Sequence, residues 1–109
     1  MPEPTYLERL IELRELCNER VFDEDLSTDD RRRFLLQAQG LTVRITSLRA
    51  ARFDEGTARL KDATRELKRI NDTLKSAVKD IDKVIRTLHD ITKAVSVVDE
   101  VIGLVKDVT

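Results

Sequence analysis

The chain is poor in the residues that form turns, aromatic clusters and disulfides. Its 109 residues include three glycines, two prolines, no tryptophan and only 4% aromatic side chains. So few turn formers argue against a sheet-rich protein, and a hydrophobic content of 40% argues against a disordered one. The composition therefore predicts an all-α fold, with residues 1–109 forming a single helical domain.

Side chains that carry enzymatic chemistry are also scarce. The only histidine is His89 and the only cysteine is Cys17, so an intramolecular disulfide is excluded. Neither a nucleophile triad, nor zinc-ligand spacing, nor a glycine-rich phosphate loop occurs. We expect a non-enzymatic protein with no catalytic residues, no cofactor and no metal ion. Cys17 lies in an apolar seam and is expected to be a small buried hydrophobic side chain.

Targeting and membrane-spanning signals are missing as well. The first ten residues, "MPEPTYLERL", are acidic and lack the apolar core of a secretory signal peptide. No run reaches the roughly 20 apolar residues that span a bilayer as a helix. Together with the single cysteine, these features predict a cytoplasmic protein by default, and they leave secretion without a signal open.

Charge is unevenly distributed along the chain, although the formal net charge is only −1. Residues 1–30 carry ten acidic and three basic side chains, a sum of −7, and residues 31–86 carry fifteen basic and seven acidic ones, a sum of +8. Such asymmetry indicates either a nucleic-acid or membrane patch or helices that neutralise each other. The arginines of residues 31–52 do not share a helical face and lack aromatic partners for stacking, so nucleic-acid binding is not expected.

Two amphipathic helices are predicted before the middle of the chain. Helix 1 covers about 5–22 and helix 2 about 28–53, with Ser27 as the cap of helix 2 and acidic residues in its first turn. The side chains expected in the two apolar seams are Tyr6, Leu10, Leu13 and Cys17 in helix 1, and Phe34, Ala38, Leu41, Ile45 and Leu48 in helix 2.

A heptad repeat without interruption follows. Its a positions are Leu60, Leu67, Leu74, Ile81, Leu88, Val95 and Ile102, and its d positions are Ala63, Ile70, Ala77, Val84, Ile91, Val98 and Val105. This pattern predicts one helix over about 57–108, on the order of 75 Å long. The phase slips near "FDEG", where we place a tight turn at residues 54–56; one continuous helix with a skip is the alternative.

The expected architecture is a three-helix antiparallel coiled-coil-like bundle with a long C-terminal helix, elongated in shape. Helix 2 is long enough to cover helix 3 only as far as about residue 82, yet beyond that point the apolar face widens through Ile85, Ala94 and Val101. An uncovered apolar face of this size indicates a partner or a membrane. The alternative is a break near His89 that folds the chain back into a four-helix monomer without an interface.

We therefore expect a helical protein–protein interaction module that self-associates through its C-terminal helix and acts as a scaffold, adaptor or partner-binding subunit. Its partner would be a second copy, as a dimer, or another helical protein. The β-branched residues at a and d do not favour a parallel dimer, so we expect antiparallel pairing or a four-helix arrangement made from two hairpins. The predicted interaction residues are Ile81, Val84, Ile85, Leu88, Ile91, Val95, Val98, Val101, Ile102 and Val105. The alternative is a membrane-active effector or toxin component whose C-terminal helix binds or inserts into a bilayer.

Overall fold

The described part of the chain contains four α-helices, one more than the heptad pattern predicts. The computed structural model describes residues 4–50, 57–76 and 80–108, with side chains up to residue 103. The helices are α1 Tyr6–Val21, α2 Thr28–Arg49, α3 Ala58–Ser76 and α4 Ile81–Val108. The all-α fold class is confirmed, whereas the single helix over 57–108 is wrong.

Helix α1 begins where its capping chemistry places it. The Thr5 hydroxyl accepts a hydrogen bond from the Glu8 amide at 3.1 Å, and the Glu8 carboxylate accepts one from the Thr5 amide at 3.1 Å. This reciprocal pair satisfies two amides that the first turn leaves without helical partners. The predicted seam of helix 1 is confirmed, because all four of its side chains are buried.

Helix α2 also begins at its predicted cap. The Ser27 hydroxyl accepts from the Asp30 amide at 3.1 Å, and Asp29 and Asp30 lie in the first turn, at the positive end of the helix dipole. The five seam residues from Phe34 to Leu48 are all buried, as predicted. The helix ends at Arg49, so the last part of predicted helix 2 and the turn predicted at 54–56 lie outside the described residues.

The predicted long helix is divided between α3 and α4. The α4 helix begins after Asp80, whose carboxylate accepts a hydrogen bond from the Lys83 amide at 3.1 Å and so acts as an N-cap. Because α3 ends at Ser76, the break precedes His89 by more than two helical turns, and His89 lies within α4. The molecule is compact rather than elongated: its longest extent is 44 Å, well short of the roughly 75 Å of one straight helix.

The four helices pack as a square bundle. Helices α1 and α4 each contact α2 and α3, and within the described residues neither diagonal pair, α1 with α4 or α2 with α3, makes contact. Contacts between Arg44 and Asp99 and between Gln37 and Thr92 place α2 parallel to α4. In the ion pairs between α3 and α4, residues later in α3 pair with residues earlier in α4, so these two helices are antiparallel.

The fold-back explains why the apolar face widens along α4. A helix that contacts one partner needs a narrow a/d seam, but a helix between two neighbours needs a wider apolar arc. In α4 the arc is centred on d and g positions, and its buried side chains are Val84, Thr87, Leu88, Ile91, Ala94, Val98 and Val101. Burial of apolar side chains contributes roughly 1.5–3 kcal/mol each, so packing α4 against two helices stabilises the folded-back arrangement.

Candidate interaction surfaces

The predicted interaction residues of α4 lie mainly in the core of the chain itself. Val84, Leu88, Ile91, Val98 and Val101 are buried. The partly buried ones pack against the same core, namely Ile81, Ile85, Val95 and Ile102. The side chain of Val105 lies outside the described residues. The premise that nothing in the chain covers this face is therefore wrong, because α2 and α3 cover it. Its pairing with a second copy stays a prediction and requires α4 to leave the bundle.

A different apolar surface is exposed on the outer side of α2. Leu36 is 58% exposed and Val43 is 67% exposed. The two residues are seven apart and therefore share one face of the helix, with Gly40 between them. We call Leu36, Gly40 and Val43 the α2 strip. Among the described residues, the one large apolar side chain more exposed than these two is Phe22, at 81%.

A groove between α2 and α4 borders the α2 strip. It has a volume of about 420 Å³, and the α2 residues that line it are Arg33, Leu36 and Gln37. The α4 residues that line it are Ile85, Leu88, His89 and Thr92. Ile85 and Leu88 belong to the predicted interaction residues, so this edge of the predicted site does border an exposed surface. The groove joins apolar side chains to a polar rim, as protein interfaces do.

An ion pair closes the same seam one helical turn beyond Gly40. Arg44 donates from Nε and Nη2 to the two carboxylate oxygens of Asp99, at 2.7 and 3.0 Å. These hydrogen bonds lower the pKa of Asp99 below its ordinary value, against a weaker opposing effect of burial. A Cβ atom at Gly40 would lie 2.8 Å from Arg44 Nη1, so the glycine leaves room for the guanidinium. The pair fixes α4 beside α2.

On the opposite side of the bundle, Asn71 connects α3 to α1. Its side chain is fully buried, and Nδ2 donates to the Arg9 carbonyl at 3.1 Å and to Glu12 Oε1 at 2.8 Å. Lys75 Nζ lies 2.8 Å from the other Glu12 oxygen. Although burial alone would raise the pKa of Glu12, the hydrogen bonds from Lys75 and Asn71 lower it overall. This polar cluster sets the register of α1 on α3.

A basic cleft opens between the start of α1 and the middle of α3. Its volume is about 450 Å³. We use the name basic cleft for the residues that line it: Pro4, Thr5, Arg9, Lys61, Thr64, Arg65 and Lys68. Among the described residues, every charged side chain that lines it is positive.

The described residues show little other sign of a metal site, a membrane-spanning helix or a reactive thiol. They contain no group of three or more His, Cys, Asp or Glu side chains placed to hold a metal ion. Likewise, no helix in the described ranges is both long enough and apolar enough to cross a membrane. Cys17 is buried, and burial raises the pKa of its thiol to about 12.

The Cys17 thiol is expected to be protected in the folded protein. With a pKa of about 12, only about one thiol in ten thousand is ionised at pH 8, and the thiolate is the reactive form. We expect a thiol reagent such as Ellman's reagent to label the native protein far more slowly than the protein in concentrated urea. Immediate stoichiometric labelling without denaturant would contradict the placement of Cys17 in the core.

Periodicity alone did not single out the α2 strip or the basic cleft. The available signal for the strip was an apolar pair seven residues apart, Leu36 and Val43, that lies outside the predicted seam of helix 2. The cleft combines residues of α1 and α3, which are far apart in the sequence. It can therefore be recognised only when the register of α1 on α3 is known. Comparisons of the chain with protein-family models, with curated proteins and with solved structures gave no match.

Proposed function

We propose that the protein is a non-enzymatic helical interaction module that self-associates through the α2 strip and the adjoining α2/α4 groove. The observation that carries this proposal is the exposure of Leu36 and Val43, two large apolar side chains on one face of α2. A scaffold, adaptor or partner-binding subunit is the corresponding class of protein.

The α2 strip is complementary to itself. If a second copy packs antiparallel about a two-fold axis near Gly40, Leu36 of each copy lies opposite Val43 of the other. Such an isologous contact uses the same patch twice, as most homodimers do. The Arg44 guanidinium, held by Asp99, occupies the space over Gly40, so the contact rests on the Leu36 and Val43 side chains. The groove beside Leu36 offers each copy further apolar contact through Ile85 and Leu88.

The size of the strip predicts weak association. Four exposed side chains per dimer, at roughly 1.5–3 kcal/mol for full burial, give a gain of the same order as the estimated 4–15 kcal/mol lost in translational and rotational freedom. The groove contacts must supply the difference. We therefore expect a concentration-dependent dimer with a dissociation constant on the order of micromolar or weaker.

The double substitution Leu36→Glu with Val43→Glu is expected to abolish the dimer and leave the fold intact. Four carboxylates would meet at the two-fold axis, whereas in the monomer both side chains remain in water. Sedimentation velocity over a hundredfold range of concentration measures the effect. The matched control is Asn18→Glu with Ser76→Glu, two exposed positions on α1 and α3 away from the strip, which adds the same charge. A native protein that is monomeric at every concentration would refute the proposal.

Self-association through α4 remains the second candidate because the heptad runs without interruption from α3 into α4. If α3 and α4 joined into one helix, α4 of each copy could replace that of the other and keep the same apolar contacts, which is domain exchange. A dimer of this kind would persist in the Leu36→Glu and Val43→Glu variant, and its elongated shape would show in small-angle scattering. The variant therefore separates the two routes.

Membrane activity is the remaining alternative for α4. It needs the apolar face that the bundle buries, and the exposed residues of α4 include Asp82, Lys83 and Glu100, so its polar face is mixed in charge. Helices that bind membrane surfaces are instead rich in Lys and Arg on that face. Co-sedimentation of the native protein with liposomes, together with a monomeric mass in solution, would favour this alternative over self-association.

A further inference from the structure

The basic cleft gathers four positive side chains around one opening. Arg9 comes from α1, and Lys61, Arg65 and Lys68 come from successive turns of α3. Cations this close repel one another, and the repulsion is relieved when an anion occupies the space between them. The cleft volume of about 450 Å³ lies within the range of small-molecule sites.

Arg9 is the most constrained of the four cations. Its side chain is only 15% exposed, whereas those of Arg65 and Lys68 are 76% and 56% exposed. Nη1 lies 3.3 Å from Glu12 Oε1, but Nε is buried and has no hydrogen-bond partner among the described residues. A buried donor without an acceptor is unfavourable, so an acceptor that reached Nε would bind favourably.

The acids around the cleft leave positive charge uncompensated. Glu12 divides its two oxygens among Arg9, Asn71 and Lys75. Lys61 forms no ion pair with any described residue. The partners of Arg65 and Lys68 are Asp62 and Asp72, which are exposed and contribute little. Within the described part of the chain, no acidic side chain lines the cleft.

We propose that the basic cleft binds a phosphate-bearing ligand. A phosphate group carries up to two charges and several acceptor oxygens, and so can engage more than one of these cations at once. The guanidinium forks of Arg9 and Arg65 suit paired hydrogen bonds to its oxygens, and the two lysines supply further charge. A single carboxylate carries one charge and two oxygens, fewer of each than a phosphate group. The cleft lies between α1 and α3, on the side of the bundle away from the α2 strip, so this proposal is independent of the proposed dimer.

Pyrophosphate is the probe, titrated at constant ionic strength while amide chemical shifts are followed by NMR. In the native protein we expect saturable shifts confined to the start of α1 and to residues 61–68. The double variant Lys61→Glu with Arg65→Glu should weaken binding at least about tenfold, because two charge-assisted contacts become repulsive. Both residues are exposed, so the fold should be unchanged.

The control is Lys83→Glu with Arg86→Glu, which changes the net charge equally on exposed positions of α4 outside the cleft. Its affinity should stay within about threefold of the native value, since distant surface charges are screened. Equal weakening in both variants, or shifts that never saturate, would overturn the proposal.

A second arm uses vesicles of phosphatidylcholine with and without phosphatidic acid. If the protein binds pyrophosphate but not the vesicles that contain phosphatidic acid, the ligand class is a soluble phosphate compound. Additional binding to phosphatidic acid that is lost in the cleft variant identifies a phosphate headgroup. Binding of neither probe contradicts the site.

Discussion

Val98→Asp is expected to destabilise the folded chain strongly without changing its mass in solution. Val98 is fully buried in the core between the helices, and a carboxylate placed there has no partner. Burial of an unpaired charge costs several kcal/mol, a large part of the roughly 5–15 kcal/mol that holds such a domain together. At about 4 °C per kcal/mol, the melting temperature should fall by on the order of 15 °C or more.

The matched control for this substitution is Ser96→Asp. Ser96 lies two residues earlier on the exposed side of α4, so the same added charge should change stability by no more than about 0.5 kcal/mol. Circular dichroism gives the melting temperatures, and light scattering gives the masses. If Val98→Asp instead halved the mass while the melting temperature stayed near the native value, α4 would pair with a second copy. The compact arrangement would then not be the one in solution.

The sequence was sufficient for the first half of the fold. The seams of α1 and α2 follow directly from a 3.6-residue period, and Thr5 and Ser27 begin their helices because a side-chain oxygen reaches a free amide of the first turn. These are local signals, and local signals are what a single sequence carries most reliably.

The break between α3 and α4 could not be read in the same way. The a/d positions keep their phase across residues 76–81, and neither glycine nor proline occurs there, so periodicity favours one helix. The remaining local signal was Asp80 as an N-cap. What decides the fold is the burial of the wide apolar arc of α4 against two helices, and that gain depends on tertiary contacts rather than on the local pattern.

The candidate surfaces also depend partly on local sequence signals and partly on tertiary contacts. The widening through Ile85, Ala94 and Val101 was a correct observation, but a wide apolar arc is equally suited to a neighbour within the chain and to one in another copy. Periodicity also cannot distinguish an exposed apolar residue from a buried one. The exposure of Leu36 and Val43 became visible only when the packing of α2 was known.

Asn71→Asp is the second substitution with a large expected effect, and its effect should depend on pH. The native amide donates to the Arg9 carbonyl and to Glu12 Oε1 from a fully buried position. A carboxylate has no hydrogen to donate, and it would lie within hydrogen-bond distance of the Glu12 carboxylate. Loss of both hydrogen bonds and repulsion between like charges should together lower the free energy of unfolding by several kcal/mol at pH 7.

The sign of the pH dependence follows from the direction of the pKa shift. Burial and the neighbouring Glu12 carboxylate raise the folded-state pKa of the introduced carboxyl above about 3.9, its unfolded value. The penalty is therefore complete above the folded-state pKa and is relieved as the pH falls towards the unfolded one. The stability of the native protein changes with pH in the opposite direction. The folded-state pKa of Glu12 is lowered, so its contribution to stability is present above the unfolded-state pKa and is lost as the pH falls. Urea denaturation at pH 7 and pH 4 should thus show a smaller difference between variant and native protein at pH 4.

Asn71→Leu separates the charge from the lost hydrogen bonds. Leucine has a similar size and removes the buried Asn71 Oδ1, which has no hydrogen-bond partner among the described residues. Glu12 keeps Lys75 in this variant, so the loss should be about 1–3 kcal/mol and should vary little between the two pH values. If Asn71→Asp were as stable as the native protein at pH 7, Asn71 would have to be in contact with water. The register of α1 on α3, and with it the position of Arg9 beside Lys61 and Arg65 in the basic cleft, would then be wrong.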